Sequence, residues 1–181
     1  MAPSPCQGRQ HRLGRPGTLP SGRPGSGLIY YLEGVLEEGR SPILLTERKE
    51  HLEYFSERLS HFTRNLIVLH GGRSMKKRRE MLDRLAAIPE DEERLVLATG
   101  RYIGEGFDDS RLDTLFLALP VSWKGTLVQY AGRLHRLHPD KSEVRIYDYV
   151  DSQVPMLARM FERRQRGYRA IGYSTGEISG L

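Results

Sequence analysis

Short runs of uninterrupted apolar residues, each followed within a few positions by a striped amphipathic segment, constrain this chain most. Pro42-Ile43-Leu44-Leu45-Thr46, Leu66-Ile67-Val68-Leu69, Leu95-Val96-Leu97-Ala98-Thr99 and Thr114-Leu115-Phe116-Leu117-Ala118-Leu119 carry no polar residue in alternation. A strand that is apolar on both sides must be covered on both faces, which is the pattern of a parallel sheet with helical crossovers. The stripes between them have helical spacing: Leu28, Leu32, Val35 and Leu36, stopped by Gly39; then Leu52, Phe55 and Leu59; then Met75, Leu82, Leu85 and Ala86. A further strand from Val144 to Val150 and a helix carrying Val154, Leu157, Ala158 and Phe161 complete the series. The expectation is one α/β domain over residues 28–181, a mostly parallel sheet with helices on both faces.

In such sheets ligands gather beyond the carboxyl ends of the strands. Three tips fall there: Thr46-Glu47-Arg48, His70-Gly71-Gly72 and Thr99-Gly100. Backbone N–H groups at strand-to-helix turns bind phosphate, glycine permits close approach, and hydroxyls contribute without reading base identity. The three tips together suit sequence-independent gripping of a nucleic-acid strand.

Residues 1–27 are rich in Pro, Gly, Ser and Arg, lack apolar periodicity, and are expected to be a disordered tail, since they bury too little surface to offset the entropy of ordering. Four of the 28 basic residues, Arg9, Arg12, Arg15 and Arg23, lie in this tail, so 24 remain against 23 acidic ones. The net charge of +5 therefore says little about the folded part, and any phosphate-binding footprint must come from local placement. A single cysteine, Cys6, excludes an intrachain disulfide and a cysteine-based zinc site, and is compatible with a reducing cytoplasm. No apolar run reaches membrane-spanning length, so no membrane partner is expected.

The most specific chemistry lies in Gln129-Tyr130-Ala131-Gly132-Arg133-Leu134-His135-Arg136. If Trp123 to Arg136 is helical, Leu127, Tyr130, Ala131 and Leu134 form the apolar face, while Gln129, Arg133 and Arg136 follow at i, i+4 and i+7 on a polar one. Guanidinium stays charged and presents a planar fork of donors, which suits a triphosphate whose γ-oxygens gather charge during transfer. Upstream, the strand ending at Gly100 leads into Gly104-Glu105-Gly106-Phe107-Asp108 and then a second strand. Together these segments resemble motifs V and VI of superfamily-2 helicases in their C-terminal RecA-like domain. The wording Gly-Glu-Gly-Phe-Asp followed by Trp-Lys-Gly-Thr resembles bacterial DEAD/DEAH-type and type III restriction-subunit-like DNA helicases. The likeness runs from Leu28 nearly to the end.

That resemblance implies several roles. Arg133 and Arg136, with Gln129, would act on the nucleotide as arginine fingers and their companion. Gly104, Glu105, Gly106 and Asp108 would lie beside the nucleotide. Thr46 and Arg48 fall at motif IV, Gly71 and Gly72 at the intervening backbone-binding motif, and Thr99 and Gly100 at motif V, all on the nucleic-acid side. ATP with Mg2+ would be shared with an N-terminal RecA-like P-loop lobe, DNA rather than RNA would be the strand, and the setting would be a bacterial cytoplasm. The 181 residues contain no Gly-x-x-x-x-Gly-Lys-Ser/Thr, so the phosphate-cradling half is expected to be missing. Glu90-Asp91-Glu92-Glu93 precedes a strand, where a magnesium-holding box would follow one, and is read as a solvated loop.

Two other classes remain at this point: a truncated non-catalytic nucleic-acid- or protein-binding module, and a small doubly wound cofactor enzyme, for which Thr46-Glu47-Arg48 offers no glycine fingerprint. His135 and His138 lack the partners of a metal site, Trp123 suits packing at the helix entrance, and Arg159, Arg163, Arg164, Arg166 and Arg169 suit a solvated basic face.

Overall fold

The computed structural model describes residues 10–15, 26–72, 74–103, 107–118, 127–139, 141–149 and 154–177. Its elements are β1 (Gln10–Arg15), α1 (Ser26–Glu37), β2 (Pro42–Thr46), α2 (Lys49–Leu59), β3 (Leu66–Leu69), α3 (Met75–Ala86), β4 (Leu95–Thr99), α4 (Gly100–Ile103), β5 (Thr114–Leu117), α5 (Val128–Leu134), β6 (Glu143–Asp148), α6 (Pro155–Ala170) and β7 (Ser174–Glu177). The sheet order is β3-β4-β2-β5-β6-β1-β7. Every pairing within it is parallel. Strand β2 is internal: Ile43 lies opposite Val96 on one side and Leu115 on the other, and Thr46 lies opposite Thr99.

The uninterrupted apolar runs serve two layers. Ile43, Leu45, Val96, Ala98, Leu115, Leu117, Val144 and Ile146 pack with residues of α3, α4, α5 and the end of α6 on one face. Leu44, Leu95, Leu97, Phe116 and Tyr147 point to the other, under α1 and α2. Successive side chains of a strand face opposite ways, so a both-sides-apolar strand is what a doubly covered sheet requires. Phe116 and Tyr147 stack flat across neighbouring strands, centroids 4.4 Å apart and planes 2° from parallel. Helix α1 stops where expected: Gly39 takes φ 72°, and the N–H groups of Gly39 and Arg40 bond back to the carbonyls of Leu36 and Val35.

The tail departs from its expected disorder. Gln10–Arg15 forms a strand between β6 and β7, with Gln10 opposite Glu143 and Arg12 opposite Ser174. A ladder is made by main-chain groups, which a polar segment supplies as well as an apolar one, so absence of apolar periodicity did not exclude it. Residues 1–9 and 16–25, Cys6 among them, lie outside the described residues. Strand β7 and the single turn of α4 carry no periodicity long enough to read.

One expectation for α6 is also corrected. Arg159, Arg163, Arg166 and Arg169 are exposed, but Arg164 is 1% exposed. Its Nε and Nη2 donate to Asp148 Oδ2 and Oδ1 at 2.7 and 2.8 Å, and the Tyr168 hydroxyl adds a third bond at 3.0 Å. The pair fixes α6 to the end of β6. Asp148→Asn should therefore cost about 3–5 kcal/mol in a urea titration, because it strands a buried guanidinium, whereas Asp148→Leu with Arg164→Met should recover most of the loss. A single Asn variant as stable as the parent would show the pair to be dispensable.

Candidate functional site

Helix α5 is laid down by its apolar residues: Leu127, Tyr130, Ala131 and Leu134 are all at most 3% exposed against the sheet. Gln129 is consequently turned to solvent, and Arg133 lies half-buried beside it. The helix ends earlier than the spacing predicts. His135 is the C-cap, with its N–H on the Ala131 carbonyl at 3.2 Å, and Arg136 stands one residue beyond it. Pro139 cannot continue a helix and biases His138 away from helical geometry, so the chain turns here. Trp123, with the rest of residues 119–126, lies outside the described residues.

Both arginines meet the segment that joins β4 to β5. An Arg133 Nη1 donates to the Phe107 carbonyl. Arg136 Nη1 pairs with Asp108 Oδ2 at 2.5 Å, with the two side chains 55% and 43% exposed. Phe107 is 2% exposed and anchors this stretch in the core, which leaves Asp108 at the surface. Arg136 thus meets Asp108 directly, and Arg133 meets the residue before it. Gly104, Glu105 and Gly106 lie outside the described residues.

The three strand tips share the carboxyl rim but not the same access. Arg48, Gly71 and Gly72 are exposed. Gly72 has φ +86°, a conformation that favours glycine, and no atom lies within 4 Å of where its Cβ would stand. Thr99 is half-buried. Thr46 and Gly100 lie beneath the surface: Thr46 is 1% exposed, and its hydroxyl has no hydrogen-bond partner among the described residues. Over Gly100 sit Glu47 Oε1 and the Tyr130 hydroxyl, each 2.5 Å from the position a Cβ would occupy. As placed, neither Thr46 nor Gly100 is open to a strand: both are buried, and Gly100 is roofed by Glu47 and Tyr130.

Sequence reasoning missed Glu47 and Tyr130. Tyr130 was legible only as a member of the apolar face, yet its hydroxyl is buried, without a hydrogen-bond partner among the described residues, and aimed at the rim. Burial pushes its phenol up to about 12; Glu47 adds to the rise and Arg133 opposes it. Along α5 the contacts therefore run in order: Tyr130 over Gly100 at the rim, Arg133 on Phe107 a turn further, and Arg136 on Asp108 at the end. The histidines make structural contacts, His135 Nε2 with the Tyr173 hydroxyl at 2.9 Å and His138 Nε2 with Glu90 Oε2 at 3.0 Å.

Residues 27–138 match the model of the helicase conserved C-terminal domain. Over 90 residues the chain is 37% identical to uncharacterized protein 108L of Invertebrate iridescent virus 3, covering 49% of this chain and 78% of that one. Among solved structures it is similar to the C-terminal domain of the DEAD-box protein Dbp5, with TM-score 0.64 and 13% identity over 94% of this chain and 89% of that one. It is also similar to the C-terminal part of the Fun30 ATPase domain, with TM-score 0.63 and 15% identity over 78% of this chain. T4 UvsW gives TM-score 0.59 and 15% identity over 93% of this chain. The chain spans about half of the Fun30 fragment, 48%, and 40% of UvsW. These likenesses establish the α/β fold of helicase C-terminal lobes.

The crowding at Gly100 gives a test of the rim. Gly100→Ala should destabilise by about 1–3 kcal/mol, since the rigid Tyr130 ring cannot withdraw as the Glu47 side chain can. Tyr130→Phe, which removes an unpaired buried hydroxyl, should leave stability unchanged or slightly raised and should reduce the cost of the alanine when the two are combined. Additive effects in thermal unfolding of the four proteins would refute the contact.

Proposed function

Because this chain belongs to the family of the helicase conserved C-terminal domain, in superfamily 2, we propose that it is the second motor lobe of an ATP-driven nucleic-acid helicase or translocase, completed by a P-loop lobe. The reading is carried by one observation: Arg136, 55% exposed, and the half-buried Arg133 beside it are both bound to the crossover segment, at Asp108 and Phe107. A pair of permanently charged, planar donors suits the γ-phosphate of a nucleotide lying in a seam between lobes.

ATP with Mg2+ is the substrate this arrangement fits, since Arg136 is more than half exposed beyond its contact with Asp108. Bound there, the nucleotide supplies the phosphoryl chemistry, while the P-loop and magnesium ligands come from the other lobe. This chain's residues then have distinct tasks. Arg136 stabilises charge at the transferred group, Arg133 braces it, and Gln129, exposed one turn earlier, orients toward the same seam. Asp108, with Gly104, Glu105 and Gly106 of the same segment, lines the nucleotide's side.

On the rim, Arg48, Gly71, Gly72 and Thr99 grip the phosphate backbone, and Thr46 and Gly100 hold those tips from below. Such contacts position a strand without reading its sequence. DNA is the proposed strand, on the resemblance of Gly104-Glu105-Gly106-Phe107-Asp108 to DNA helicases of the restriction-subunit type.

The test is a motor reconstituted from the full chain and a separately expressed P-loop lobe. DNA-stimulated ATP hydrolysis should fall by about a thousandfold in Arg136→Ala, the scale of arginine fingers in GTPases. Arg48→Ala should instead weaken strand binding and lower the dependence of log affinity on log salt by about one phosphate contact. Wild-type hydrolysis in Arg136→Ala would overturn the finger role. Stimulation by RNA alone would overturn the choice of DNA.

A further inference from the structure

One side chain outside every motif touches both halves of the proposed site. Lys141 lies between the turn at Pro139 and the start of β6, and it is only 6% exposed. Its ammonium donates to three carbonyls, Ser110 at 2.6 Å, Leu134 at 2.9 Å and Arg136 at 3.0 Å. A buried ammonium is costly unless each of its protons is satisfied, and here three protons meet three acceptors. Its own N–H also returns to the His138 carbonyl at 3.2 Å, closing the turn that carries it.

The three carbonyls are not equivalent. Leu134 is the last residue of α5, where a cation is favoured by the helix dipole, and Arg136 stands just past the C-cap. Ser110 belongs to the crossover segment, two residues beyond Asp108. Asp108 in turn holds the guanidinium of Arg136. Lys141, Ser110, Asp108 and Arg136 thus form a closed circuit in which the backbone of Arg136 is held from one side and its head from the other. His135, between the two arginines, is held on a third side by Tyr173.

We propose that Lys141 is a positioning residue for Arg136, fixing the end of α5 against the crossover segment so that the guanidinium is presented outward in one geometry. The inference rests on the reading of Arg136 as the nucleotide-facing arginine. Arg136 stands beyond the helix cap, where its N–H keeps one last-turn bond to the Arg133 carbonyl at 3.2 Å and its carbonyl is held by the Lys141 ammonium. Displacements of about 1 Å at a positioned group cost on the order of a hundredfold in rate.

The experiment uses the full chain with its P-loop lobe and compares wild type, Lys141→Met, Arg136→Ala and the double variant. Lys141→Met is expected to lower kcat for ATP hydrolysis about ten- to a hundredfold with KM within about twofold, and to lower it no further when Arg136 is already alanine. An equal proportional loss in both backgrounds, or an unchanged kcat, overturns the proposal. Amide hydrogen exchange on the chain alone gives a second reading, with faster exchange expected at residues 108–112 and 134–138 and unchanged protection in Leu95–Thr99. If the methionine variant fails to fold, Lys141→Arg, which keeps the charge but not the three-carbonyl fit, goes through both measurements. Protection lost across the whole sheet in that variant as well would make Lys141 a general structural cation and overturn the inference. Wild-type hydrolysis in Arg136→Ala sinks the reading beneath, and local exchange then decides the tether by itself.

Discussion

Buried cations feeding backbone carbonyls hold this domain's working surface together. A parallel sheet must carry its chain from the carboxyl end of one strand to the amino end of the next, and among the described residues the return from β4 to β5 contains one helical turn. Its described residues 107–113 lie outside any helix. Arg111 forks onto Asp109, with both contacts at 2.9 Å, and spends its remaining donors on the carbonyls of Ile88 and Leu85 at the end of α3. Arg94, 1% exposed, gathers the carbonyls of Pro89, Glu90 and Glu92. At the amino end, Arg40 reaches Thr114, Glu143 and the Asp113 carbonyl, joining the starts of β2, β5 and β6. Each guanidinium replaces hydrogen bonds that regular structure would have supplied.

With the return segment fixed, α5 lies alongside it and the two are matched residue by residue. The rim end is closed by the tight approach of Tyr130 to Gly100, and the far end, past the C-cap of α5, by Arg136 on Asp108. A movement at either end must pass through packed core, since Phe107, Ala131 and Leu134 between them are all at most 2% exposed. Under the proposed function this joins the strand grip to the nucleotide seam by a stiff element, which is what conversion of closure into movement requires.

Much of the fold could be read from the residues because its rules are local. Apolar runs such as Leu95 to Thr99 marked the strands, and stripes such as Leu52, Phe55 and Leu59 marked the helices. The strand at Gln10–Arg15 escaped because its place depends on a neighbour's open edge, not on its own side chains. The arginines and Asp108 stood out through the motifs they resemble, and the fold brings Arg136 and Asp108 into contact. Lys141 and Tyr130 were not: one is a lone lysine before a strand, the other one more apolar-face residue, and only the folded backbone gives them partners. Arg164 misled for the same reason, since its buried carboxylate lies sixteen residues away on another element.

The contact between Arg136 and Asp108 has a further consequence. Both members are substantially exposed, so water and salt hold its strength to about 1 kcal/mol or less. It is strong enough to keep a long, floppy side chain from wandering and too weak to keep it captive. An arriving polyanion would meet a guanidinium already aimed, and would displace one carboxylate instead of recruiting a disordered arm. Under the proposed function the pair would work as a holster: it would store orientation while leaving the charge free to be drawn.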